Sequence, residues 1–321
     1  MPIIKPSEQF NFSWWSKHPH LSTLIPSFFR KVELPNYMRQ RIVTPDHDFL
    51  DIDFLDGSHE KVVVLTHGLE GNSGKHYIKG AAKVFHEMGF TVVAWNCRSC
   101  SGEMNNSRKF YHHGDTEDLS LVLRWVSEKW PSASIGLTGY SMGGVINTKT
   151  IILEENIPSI HWSAAISTPC NLEDCALSLD ERRNWIYRKK FYKDLKIKLE
   201  AKRKIFPDLF HEGVWKQIKT WRDFDTLVSA PMNGFKNVQE LYSQASLNNF
   251  WKGLKVPTLV LNALNDPLLP NHSNPIAVAE NHSFLNLELV DFGGHCGFIE
   301  SHDTQTYAEI RIREWALKYL G

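Results

Sequence analysis

Ser141 stands between two glycines in Gly139-Tyr140-Ser141-Met142-Gly143-Gly144, a spacing that suits a nucleophile. A serine hydroxyl attacks a carbonyl only if it projects clear of its surroundings, which forces its backbone into a tight strand-to-helix turn where neighbouring segments crowd it. Glycine at 139 and 143 leaves the room. A helix starting just after Ser141 aims free N–H groups, that of Met142 first, at the negative charge forming on a substrate oxygen. Such a hydroxyl needs a base, and the base needs an acid to orient it. Asp266, in Asn265-Asp266-Pro267, and His295, in Gly293-Gly294-His295, complete the chain order nucleophile, acid, base. His295 would take the Ser141 proton and return it to the leaving group, while Asp266 sets the imidazole tautomer. Asp291 is the competing acid, but it shares one short loop with His295 and would have to turn back on itself.

Each of these residues follows a strand-like run. Ser134 to Thr138 precedes Ser141 and a helical pattern, Val145 to Leu153, follows it; Thr258 to Asn262 leads to Asp266, and Asn286 to Val290 leads to His295. Lys61 to Thr66 carries Val62-Val63-Val64-Leu65, the uninterrupted apolar run of a strand buried on both faces, and stops at His67-Gly68-Leu69-Glu70-Gly71. There the Leu69 N–H can face the same oxyanion as Met142, with His67 orienting the loop. Thr91 to Asn96 and Ile160 to Ser167 predict two further strands, and Arg39 to Val43 with Phe49 to Phe54 an antiparallel edge. Helical spacing runs from Tyr77 to Phe85, from Asp115 to Trp130, from Pro275 to Glu280 and from Thr304 to Leu320. Alternating strands and helices predict an α/β fold, a mostly parallel doubly wound sheet.

The interval between the strands at 160–167 and 258–262 is far longer than an ordinary connection, so it predicts an inserted helical lid. The expected division is an aromatic, proline-rich arm at 1–36, the first part of the core at 37–168, a lid at 169–255 and the second part of the core at 256–321. Within the lid, Trp185, Tyr192, Leu195 and Leu199 follow helical spacing, while basic residues from Arg182 to Lys204 crowd the rest as a solvated outer face. The same basic segment suits peripheral contact with an anionic membrane. Phe224, Leu227, Phe235, Leu241 and Tyr242 are apolar enough to line a pocket for hydrocarbon.

Composition narrows the function classes. Hydrophobic residues make up 42% of the 321, enough for a substantial core, and the formal net charge is zero. With a pI of about 7.3 and no recognition motif, nucleic acid is not an expected partner. The first ten residues lack the apolar segment of an export signal, and no run approaches the roughly 18 apolar residues of a membrane span. A cytoplasmic protein is the expectation. Five cysteines without such a signal predict thiols, and Cys97 and Cys100 lack the second pair a zinc site would need, so neither metal nor cofactor is expected. His113 and Asp118 form an H-x-x-x-x-D pattern, but acidic residues at a helix start already have a sufficient reason there. Nothing in the sequence sets the oligomeric state.

In combination these motifs resemble the YheT-like branch of the α/β-hydrolases. That branch includes plant embryogenesis-associated proteins, yeast medium-chain ethyl ester synthase/esterases and animal abhydrolase-domain lipases. The likeness spans nearly the whole chain. It is carried by His18-Pro19-His20-Leu21 with Thr23, His67 to Gly71, Asn96-Cys97-Arg98-Ser99-Cys100-Ser101-Gly102-Glu103, Tyr111-His112 and Thr116 to Leu119. The elbow, Phe224-Asp225, Ala230-Pro231 with Gly234-Phe235, Asn265-Asp266-Pro267 and Gly293-Gly294-His295 carry the rest. Ser99 departs from a common glycine and Val145 from a common asparagine. The resemblance implies an α/β-hydrolase fold with the triad on Ser141, Asp266 and His295. It also implies hydrolysis of small-molecule or lipid esters of medium or longer acyl chains, or acyl transfer to an alcohol. A catalytically silent lipid-binding protein is the alternative from another class, and the strained serine argues against it.

Overall fold

A computed structural model describes residues 3–6, 12, 14–300 and 305–320. β1 (Ile3–Ile4) and helix α1 (Pro19–Phe29) precede an antiparallel pair, β2 (Met38–Val43) and β3 (Phe49–Leu55). Three strand-helix units follow: β4 (Ser58–Thr66) with α2 (His76–Glu87), β5 (Phe90–Asn96) with α3 (Glu117–Lys129), and β6 (Ser134–Tyr140) with α4 (Met142–Leu153). β7 (Ile160–Ile166) opens into an insertion of helices α5 (Leu172–Asp180), α6 (Trp185–Ile205), α7 (Val214–Gln217), α8 (Trp221–Phe224), α9 (Ala230–Met232) and α10 (Val238–Ala245). β8 (Thr258–Ala263), α11 (Ile276–Ala279), β9 (Leu285–Val290) and α12 (Tyr307–Lys318) close the chain. Phe10 and Thr304 lie outside the described residues.

The strands form one sheet in the order β1-β9-β8-β7-β6-β4-β5-β3-β2. All its pairs are parallel except β2 with β3 and β3 with β5. Val62 to Leu65 are fully buried and divide between its faces. Val62 and Val64 join Leu119, Val122 and Met142 on one side, whereas Val63 and Leu65 join Ala81, Phe85 and Ile312 on the other. Helices on both sides explain why that run shows no polar alternation. Register then lines up the functional strand ends: Thr66 pairs with Gly139, Gly139 with Ala165, and Ala263 with Val290. The loops after β4, β6, β8 and β9 therefore leave one edge together, where open α/β sheets hold their ligands.

Two features differ from the sequence reading. The arm holds a regular helix: His18 caps α1, its Nδ1 accepting from the His20 N–H at 3.3 Å, and Pro19 occupies the first turn. No apolar period announced it because Pro26 interrupts its hydrogen bonding and Phe28 and Phe29 face solvent. On α6 the apolar and basic sets are partly exchanged. Trp185 is exposed, Lys198 is half-buried and Lys202 is fully buried, its ammonium donating to the carbonyls of Ser107 and Lys109. Long aliphatic stems let lysines cover apolar surface while the charged end finds oxygen atoms, which charge alone does not reveal.

Candidate active site

β6 ends at Tyr140 and α4 begins at Met142, so the reversal falls on Ser141 alone, at φ 54° and ψ −123°. A non-glycine residue is held there only by its surroundings. The flanking glycines make that possible. A Cβ on Gly139 would lie 2.3 Å from the Gly143 carbonyl oxygen, and one on Gly143 would lie 2.2 Å from that of Thr66. The Ser141 N–H is anchored to the Ile166 carbonyl at 2.8 Å, which leaves its side chain pointing off the sheet edge.

Ser141 and His295 are 154 positions apart and meet there. The Ser141 Oγ lies 2.9 Å from His295 Nε2, and His295 Nδ1 lies 2.8 Å from Asp266 Oδ2. Because a carboxylate only accepts, Asp266 fixes the ring proton on Nδ1 and leaves Nε2 to accept from the hydroxyl. The other Asp266 oxygen accepts the N–H groups of Leu268 and Leu269 at 2.8 and 3.3 Å. Burial works against a charged imidazole, but the Asp266 carboxylate outweighs it and holds His295 above its ordinary value. Asp291, the competing acid, is exposed and makes no hydrogen bond or ion pair with His295.

The loop after β4 closes on the same hydroxyl. Among the described residues, neither the Leu69 nor the Met142 N–H meets a protein acceptor. His67, buried and pushed down to about 4 by loss of water, accepts the Cys97 N–H on Nε2 at 3.0 Å and so donates from Nδ1 to the Gly68 carbonyl at 2.7 Å. It braces the loop rather than facing Ser141. Glu70 has a φ of 55°; its N–H donates to Tyr111 Oη at 3.0 Å while the Tyr111 hydroxyl donates to its carboxylate. Lys198 of α6 reaches down to that carboxylate at 3.0 Å and also lies 3.4 Å from Cys100 Sγ. The inserted helices thus hold the loop that presents Leu69.

Two spaces with mostly apolar walls flank Ser141 and His295. One is lined by Leu172, Ala176, Leu179, Phe191, Leu268 and Leu269, and it shares Leu69, His113, Leu172 and Trp221 with a neighbouring space whose walls also include Asp225 and Met232. The other is a solvent-open cleft of about 870 Å³ bounded by α1, the loop after β4, Lys75 just before α2, and Lys190 and Asp194 of α6. Burial raises the Asp225 carboxyl to about 7, although the Tyr242 hydroxyl donates to it at 2.9 Å. Among the described residues no group of three or more His, Cys, Asp or Glu side chains is placed to hold a metal ion.

Several supporting residues are not apparent from motif spacing. Thr23 of α1 accepts the His295 N–H at 2.9 Å. Asn265 accepts the N–H groups of Gly293 and Gly294, both at 2.9 Å, and donates to the Ser16 carbonyl at 3.1 Å. Their only sequence signal is their presence among the residues that carry the family likeness. Asp118 of the H-x-x-x-x-D pattern is committed elsewhere. It binds the buried Arg98 guanidinium through both oxygens, at 2.8 and 2.9 Å, and Asp48 adds a third contact at 3.0 Å. Ser99, the departure from glycine, has a φ of 62° and is held by reciprocal bonds with Asn105.

Comparison with known proteins agrees with this architecture. The chain is 29% identical to YheT of Escherichia coli (strain K12) over 94% of its length and 91% of that protein. It is 28% identical to phospholipase ABHD3 of Bos taurus over 93% of its length and 75% of the relative. Among solved structures, the Pyrococcus furiosus esterase PF2001 superposes with a TM-score of 0.59 at 19% identity, covering 89% of this chain and 92% of the other, a likeness of fold. The family model for the alpha/beta hydrolase fold matches residues 61–302, a span that holds the elbow, the inserted helices and the His295 loop, and the chain belongs to that family.

Proposed function

We propose that the protein hydrolyses carboxylic esters of medium or longer acyl chains through a covalent acyl-enzyme. The supporting observation is the unbroken relay from Ser141 through His295 to Asp266, at 2.9 and 2.8 Å, on a serine held at φ 54°. His295 accepts the hydroxyl proton as Ser141 attacks the ester carbonyl, and Asp266 stabilises the imidazolium that forms. The N–H groups of Met142 and Leu69 receive the charge on the carbonyl oxygen. His295 then protonates the departing alcohol, and water activated by the same nitrogen releases the acid. The apolar cavity beside Ser141 suits the acyl chain, and the names of relatives such as phospholipase ABHD3 favour a lipid ester.

Fluorophosphonate labelling followed by peptide mapping tests the reading. An adduct on Ser141, lost in Ser141→Ala, is expected; folded protein that takes no adduct would leave a silent binding protein as the better account. Product analysis with added ethanol separates hydrolysis from acyl transfer. The proposal extends to lipid surfaces. The outer side of α6 presents Lys189, Lys193 and Lys196 beside exposed Trp185, Ile186 and Ile197, a mixture that favours an anionic bilayer. Co-flotation with phosphatidylglycerol vesicles but not with phosphatidylcholine vesicles is the expected result.

A further inference from the structure

His113 is the half of the H-x-x-x-x-D pattern that folding leaves without a partner. Asp118 is bound to Arg98 through both oxygens. Neighbouring His112 is engaged as well, its Nδ1 accepting the Gly114 N–H at 3.0 Å while its ring meets Phe235 edge-on at 5.4 Å. His113 has nothing comparable. Among the described residues neither of its ring nitrogens has a hydrogen-bond or ion-pair partner, and burial alone pushes the imidazole down to about 4. Polar nitrogens withdrawn from water and left unmatched are unfavourable.

The ring stands beside the nucleophile. His113 lines the space that runs from Ser141 and His295 along Leu172 and Leu268, and it also lines the neighbouring space whose walls include Asp225. In the first of these, apart from the two catalytic residues, every lining side chain except His113 and the Cys175 thiol is aliphatic or aromatic. A plain hydrocarbon chain laid along these walls would displace water from His113 and offer its nitrogens nothing. Burial keeps the ring neutral, and a neutral imidazole has one donor and one acceptor nitrogen. A hydroxyl, itself donor and acceptor, matches the ring in either tautomer. A carboxylate finds no charge there to pair with.

We propose that His113 binds a hydroxyl carried partway along the acyl chain, so that the enzyme selects esters of hydroxylated fatty acids over those of plain ones. The proposal rests on the hydrolase reading above, with the acyl chain lying along Leu172 and Leu268. Because the ring holds a fixed place on a wall shared by the two spaces, one position of the hydroxyl along the chain is favoured over its neighbours. Contact there keeps the scissile carbonyl in register with Ser141, and a chain without the hydroxyl leaves the nitrogens unpaired.

The test compares ethyl decanoate with ethyl hydroxydecanoates whose hydroxyl is moved carbon by carbon from the carbonyl to the chain end. Wild-type kcat/KM should pass through a maximum at one interior position, above the value for ethyl decanoate. That ratio should fall about ten- to a hundredfold in His113→Phe, which keeps a flat ring without nitrogens, the size expected for one hydrogen bond to a desolvated group. A carboxylate at the favoured position should give no gain. Faster turnover of ethyl decanoate than of every hydroxylated chain overturns the proposal. So does a hydroxyl preference that His113→Phe leaves intact, one that grows steadily toward the chain end, or an equal gain from the carboxylate. If His113→Phe does not fold, the position scan in the wild-type enzyme decides alone. Fluorophosphonate labelling is run in parallel. Protein that labels on Ser141 without a hydroxyl preference sinks only the role of His113, whereas protein that never labels removes the hydrolase reading and this proposal with it.

Discussion

Asp266 acts on His295 in two ways, by fixing the proton on Nδ1 and by favouring the charged ring. Asp266→Asn should therefore lower kcat/KM by about 10⁴-fold, because an amide can donate to the imidazole and select the wrong tautomer. The pH profile separates this from general damage. His295 accepts the Ser141 proton only when neutral, so activity rises as pH climbs through its pKa, which Asp266 holds above the ordinary histidine value. Loss of the carboxylate should move that acidic limb to lower pH in whatever activity remains. Asp291→Asn should shift neither rate nor limb; a larger effect there than at Asp266 would reassign the acid. Ser141→Ala should remove turnover with little change in Tm, since the side chain it deletes supports nothing but the relay. Thermal melts beside rate measurements check both halves of that expectation.

The elements that present these residues are coupled through α6. Its Lys198 reaches the Glu70 carboxylate next to Leu69, so the inserted helix is tied to the loop that carries the Leu69 N–H. Lys198→Met should lower kcat by about ten- to a hundredfold with KM nearly unchanged, because the interaction matters most when charge appears on the substrate oxygen. Lys198→Arg should restore much of the loss. A change confined to KM would place Lys198 in substrate binding instead. Under the next turn, Lys202 donates to the Ser107 and Lys109 carbonyls, and burial pushes its ammonium down to about 8. Two lysines one turn apart thus seat the helix on the loop that follows β5.

Over the whole molecule, the two ends of the chain close around the His295 loop. Arg30, just after α1, forms two bonds of 2.7 Å with Glu309 of α12, and both side chains are largely buried. Arg30→Met would leave the carboxylate without its cation, and stability should fall by about 3–5 kcal/mol in a denaturant titration. Activity should fall as well, since α1 also carries Thr23 to the His295 N–H. A stable variant with full activity would show that the N-terminal helix is an accessory rather than part of the catalytic body.

Much of this was legible in local pattern. Buried runs such as Val62 to Leu65, the glycines around Ser141 and the order of Ser141, Asp266 and His295 express constraints that act over a few residues, where backbone sterics and hydrophobic period leave a direct trace. The partners that brace the site left no such trace. Thr23 meets His295 across 272 positions, and Lys198 meets Glu70 across 128. A threonine in an aromatic arm and one lysine among many on a basic helix look alike whether they face water or the core. Sequence by itself determined the strand-helix order and which residue types stand at the strand ends. Tertiary structure decided which charges are buried and which are paired, because desolvation and pairing depend on what folding brings within a few ångströms, not on neighbours along the chain.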